Sequence, residues 1–164
     1  MKRIAIILIA AIISFSGTML ANAITVDDCF KKFSSAPNAK YVKVNSFLMT
    51  IAKMSVGNDP EAALIKKFDS MRVITLENCS ETVKKQFANF MTSGSLDDME
   101  EFVSANDDGN KVKILIKTKN DLIRKMLVVC YGAKDCCLVE INGKFSIDDI
   151  EDVANSQMPK HNDR

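Results

Sequence analysis

From Lys111 to Thr118 apolar and basic residues alternate almost without interruption, with Val112, Ile114 and Ile116 on one side and Lys111, Lys113 and Lys117 on the other. Successive side chains of a strand point to opposite faces, so this period of two describes an antiparallel strand with one wet face. Two further apolar runs, residues 122–131 and 136–143, flank Tyr131-Gly132-Ala133-Lys134-Asp135 and read as two more strands. Ser146 then caps a short helix carrying Ile147, Ile150 and Val153.

Before residue 105 the period is mostly helical. Val26, Phe30 and Phe33 stand at i, i+4 and i+7 behind Thr25 or Asp27 as cap, and Pro37-Asn38 ends that helix. Residues 40–45 alternate as a strand, after which Phe47, Leu48, Ile51 and Met54 return to helical spacing. Asp59-Pro60-Glu61 is a helix start, with an acid at the cap, proline at the first helical position and an acid in the first turn; Leu64, Ile65 and Phe68 face inward. Met71 to Leu76 is β-rich, and Asn78 with Glu81 opens a helix striped by Val83, Phe87 and Phe90. Gly94-Ser95 breaks it, and Ser95 is expected to cap a further helix that turns Met99, Phe102 and Val103 to the core. Helices first and strands afterwards define an α+β fold, an antiparallel sheet with helices packed mainly on one face.

The first two dozen residues have another character. Lys2-Arg3 is a positive start, Ile4 to Phe15 is an apolar run interrupted by Ser14, and Ala21-Asn22-Ala23 is the small-x-small pattern read by signal peptidase. The expected cut lies between Ala23 and Ile24. A membrane span needs about 20 apolar residues, and this run reaches Ser16, Gly17 and Thr18 too soon. A lipid anchor would require cysteine directly after the cut, where Ile24 stands; the first cysteine, Cys29, follows Val26-Asp27-Asp28. The expected organisation is a signal peptide at 1–23, one α+β domain at 24–155 and a polar tail at 156–164, with no stable membrane insertion after cleavage and a periplasmic or extracellular address.

With Lys2 and Arg3 removed, 20 basic residues face 21 acidic ones, since the whole chain has 22 and 21. A near-neutral chain has no electrostatic pull toward nucleic acid or anionic lipid. Lysines 111, 113, 117, 119 and 125 lack the interleaved aromatics of a base-stacking platform and read as a solvated face with edge lysines. The single histidine, His161, lies in the polar tail. There is no G-x-S-x-G, Walker loop or G-x-G-x-x-G, so no catalytic residue, cofactor site or metal site is assigned.

Five cysteines, Cys29, Cys79, Cys130, Cys136 and Cys137, form no C-x-x-C. The odd count leaves at least one thiol outside any internal pairing. If the last hairpin turns on Ala133-Lys134, Cys130 faces Cys137, Val128 faces Val139 and Met126 faces Ile141. That makes Cys130 and Cys137 the candidate disulfide. A neighbouring register sets Tyr131 against Cys137 and Val129 against Val139 and keeps an apolar face equally well. The alternative for all five is burial as small hydrophobes. Among the acids, Ser104, Asn106, Asp108 and Gly109 imitate a calcium loop, but its twelfth place is Leu115 where a bidentate glutamate is needed. The acidic clusters after Ser95 and Ser146 instead complement helix dipoles, and Gly109 turns the chain with positive φ.

Three stretches, Lys67–Thr75, Asn106–Leu115 and Val139–Ile150, together with the leader, resemble a family of exported proteins from gut-type Gram-negative bacteria, domain of unknown function DUF4252. The likeness covers about residues 1–155. It implies export and an α+β fold and brings no catalytic residues; the cysteines depart from the family's pattern. The expected function is non-enzymatic binding of a protein or envelope component. Two rivals are a small hydrolase using dispersed carboxylates and a redox role through Cys130 and the Cys136-Cys137 pair.

Overall fold

The computed structural model describes residues 25–93, 96, 99–107, 109–132 and 136–157. The leader, the Ala23–Ile24 bond, Ser95, the Ala133-Lys134 turn and His161 lie outside the described residues. The elements are α1 (Val26–Phe33), β1 (Lys40–Val44), α2 (Ser46–Ser55), α3 (Pro60–Ile65), β2 (Phe68–Thr75), α4 (Glu81–Thr92), β3 (Glu100–Asp107), β4 (Asn110–Lys119), β5 (Leu122–Gly132), β6 (Cys137–Phe145) and α5 (Ile147–Gln157). The six strands form one sheet in the order β1-β2-β6-β5-β4-β3, antiparallel throughout. The expected α+β class is the observed one.

Capping chemistry starts each helix. Thr25 and Asp28 close a reciprocal capping box on α1, Asp59 accepts from the Ala62 N–H ahead of Pro60, and Ser80 accepts from the Val83 N–H. Ser80 rather than Asn78 is therefore the cap of α4. At α5 the Ser146 N–H donates to Asp149 at 2.8 Å and the Asp149 N–H returns to the Ser146 hydroxyl at 3.3 Å. Gly109 has φ 80°, the left-handed turn expected of it between β3 and β4.

Cross-strand partners share a face, so the register assigns each paired strand residue to one side. Ile74, Leu138 and Val129 form one row, and Arg72, Glu140 and Leu127 the next row on that side. There α1 and α4 bring Val26, Cys29, Phe30, Phe33, Phe87 and Met91 into a core with Ile74, Leu76, Leu127, Val129 and Leu138. Met71, Ile141, Met126 and Ile116 occupy the opposite side. They join Phe68, Ile123, Phe145 and Met49 of α2, with Leu64 and Ile65 of α3 and Ile150 of α5 packed against them. Helices thus stand over both faces, which corrects the expected cover on mainly one.

The helix expected after Ser95 is an edge strand. Phe102 and Val103 belong to β3, and its register slips between Glu101 and Val103. That bulge adds a residue to one strand, so the apolar positions 99, 102 and 103 mimic helical spacing while the backbone is extended. β3 also covers β4, so the lysine-bearing strand is an inner one and its lysines are not edge lysines.

Candidate functional site

Among the described residues three features are candidates for function. The first is a charge cluster where α1 crosses the sheet. Glu140, 2% exposed, accepts from Arg72 through two parallel bonds, Nε to Oε1 and Nη2 to Oε2, both 2.8 Å. The Asn142 amide donates to it at 3.1 Å and Lys125 Nζ stands at 3.5 Å. The same Nη2 also reaches Asp27 Oδ1 of α1 at 2.7 Å, and the Arg72 Cζ lies 4.2 Å from the Phe30 ring centroid. Burial pushes the Glu140 carboxyl up, but hydrogen bonds from Arg72 and Asn142 and the charges of Arg72 and Lys125 hold it below the ordinary glutamate range. The hydrogen bond from Arg72 likewise lowers Asp27. A depression of about 250 Å3 lies beside these groups, lined also by Lys43, Ser70 and Met71. Both carboxylates are held toward the ionised form by Arg72, and the cluster fastens α1 to β2 and β6.

Sequence reasoning missed this cluster. Its signal was present as one arginine inside the apolar run Met71–Leu76 and one glutamate inside 136–143, opposite charges that burial obliges to meet.

Asp28, Asp59 and Asp149 serve as helix caps. Asp149 is lowered first by its hydrogen bond from Lys67, which it meets at 2.6 Å, and Asp28 by the Thr25 hydroxyl. Among the described residues no group of three or more histidine, cysteine or acidic side chains is placed to hold a metal ion.

The second feature is an incompletely covered apolar surface on the α2 side of the sheet. Val42, Val73, Val139, Val128, Ile114 and Val103 run strand by strand across it. The four inner members are half-buried, and the outer two, on edge strands, are exposed. On that side α2 buries Met49 alone and turns the expected stripe outward: Phe47 is 72% exposed and Met54 80%, with Leu48 and Ile51 also exposed. The spacing of these residues is helical as expected; the face they form looks away from the core. Exposed apolar patches of more than a few hundred Å2 mark interaction surfaces.

The third feature is a cysteine recess. Cys130 opposes Cys137, Val128 opposes Val139 and Met126 opposes Ile141, the first of the two registers that the sequence allows. Cys136 takes the other face, joining the core below α1 and α4. Cys29 and Cys79 are also core residues; burial pushes the Cys29 thiol up to about 12 and Cys79 upward as well.

The class this geometry defines is an α+β sheet domain with a buried, paired Arg72–Glu140 cluster and an exposed apolar stripe on α2. The family model for domain of unknown function DUF4252 matches residues 33–153, and the chain belongs to that family. No curated protein and no solved structure matches the chain.

Proposed function

We propose that the chain is an exported, non-enzymatic binding protein of the periplasm or cell exterior that takes a protein partner of the envelope on its α2-side apolar face. The observation that carries this reading is the outward stripe Phe47, Leu48, Ile51 and Met54. A helix with one buried residue gains little from its own fold, and covering four large apolar side chains would return about 1.5–3 kcal/mol for each one fully buried. The near balance of charge favours a protein over an anionic lipid surface as the occupant. The hydrolase reading has less support, because among the described residues the carboxyls displaced from their ordinary range, Asp27, Asp28, Glu101, Glu140 and Asp149, all move downward, whereas a general acid at neutral pH needs one moved up. Among the described residues no helix is long and apolar enough to cross a membrane.

A photo-crosslinking residue at Met54 tests the surface, with the same probe at exposed Lys85 of α4 as control, in cells that make the protein naturally. A discrete protein adduct is expected from position 54 only, lost when Phe47→Asp is added. Adducts from both positions, or from neither, overturn the proposal. Mass spectrometry of the same material tests export: a chain starting at Ile24 is expected, and one retaining Met1 contradicts it.

A further inference from the structure

Cys130 and Cys137 are directly opposed Cα partners near the ends of β5 and β6. Such partners in an antiparallel pair stand about 4.5–5.5 Å apart at Cα with both side chains on one side of the sheet, inside the span a disulfide bridges. Both are half-buried and line an open recess of about 330 Å3 with Thr75, Glu77 and Cys136. The other three thiols are buried, and exchange requires an accessible thiolate.

From this juxtaposition we infer that Cys130 and Cys137 form a reversible redox modification site, closing a cross-strand disulfide when a small-molecule or protein disulfide serves as oxidant. The Cys130 thiolate attacks one sulfur of the oxidant, breaking its S–S bond and releasing one thiolate. The Cys137 thiolate then attacks the Cys130 sulfur of the mixed disulfide and expels the second. One S–S bond is lost in the oxidant and one gained in the protein. The two cysteine protons pass to the released thiolates, and two electrons leave the cysteines for the oxidant. Which cysteine attacks first is interchangeable. The bond closes the β5–β6 connection beside the Val128–Val139 pair, at the margin of the apolar face. It depends on neither export nor partner binding.

The test uses the purified full chain equilibrated with oxidised and reduced glutathione, quenched by alkylation and mapped by peptide mass spectrometry. The expected product is lighter by about 2 Da and links the Cys130 and Cys137 peptides, while the buried Cys29 and Cys79 are expected to resist alkylation. Cys137→Ser is expected to stop at a glutathione adduct on Cys130, and Cys136→Ala to leave the oxidation midpoint within about threefold. Stable adducts on both cysteines of the unsubstituted chain, a bridge that uses Cys136, or no oxidation at the most oxidising ratio overturns the inference. So does a bridge that forms only when Cys29 and Cys79 become reactive, because it then belongs to the unfolded chain.

Discussion

Arg72→Met is expected to cost about 3–5 kcal/mol of folding stability, the range for breaking a buried ion pair on one side. The substitution leaves Glu140, 3% exposed in its side chain, without its bidentate partner, and detaches Asp27 and the Phe30 ring of α1 from the sheet. Most of that cost is the desolvated carboxylate rather than lost attraction, so Glu140→Leu added to Arg72→Met should recover the larger part. Acid gives the same answer by another route. The folded-state pKa of Glu140 lies below its ordinary value of 4.5, so the unfolded chain takes up the proton first. The stabilisation is complete above that ordinary value and is lost as pH falls through the depressed folded one. Urea unfolding from about pH 3 to 7 should show a shallower acid loss in the double variant than in the unsubstituted chain. An equal slope in both would show that Glu140 is not held as an anion by Arg72.

The second large effect is Phe33→Ala, expected to cost about 3–5 kcal/mol. Phe33 is 2% exposed where α1 meets α4, with its ring edge-to-face on Phe87 at 5.2 Å and on Phe90 at 5.7 Å. Truncation forfeits the transfer of the ring and both aromatic contacts. It also opens a cavity that two helices pinned to the sheet cannot collapse into. The denaturant midpoint should fall with little change in slope, as for a change confined to the native state. A loss below about 1 kcal/mol would mean that α1 does not pack as described.

Much of the fold is legible because local rules and tertiary structure agree. Thr25, Asp59-Pro60 and Ser146 start helices by chemistry that acts within one turn, and the alternation of Lys111–Thr118 needs no partner to be recognised. Long-range and irregular features are harder to read. The β3 bulge inserts a residue that turns period two into apparent helical spacing, so Phe102 and Val103 point to the wrong element. The hairpin register is open in sequence because both alignments keep an apolar face. The bulge between Ile123 and Lys125 lets Ile123 join Met126 and Ile141 in one core.

The candidate surface shows the other boundary. Helical spacing tells that Phe47, Leu48, Ile51 and Met54 share a side of α2, but the same pattern serves a core and an interface. Which it is depends on the orientation of α2, and that is set by Met49, a residue off the stripe packed into the core beside Val44 and Met71. Arg72 and Glu140 are 68 positions apart, so only the folded sheet reveals that two isolated charges in apolar strands belong together.

The most direct measurement is the unfolding free energy of the double variant Phe47→Ser/Met54→Ser beside Phe33→Ala. A stripe that faces solvent predicts a change within about 0.5 kcal/mol for the double variant, with the full core penalty in the other. A loss of several kcal/mol from the double variant would place those side chains inside the protein, and the binding face would not exist.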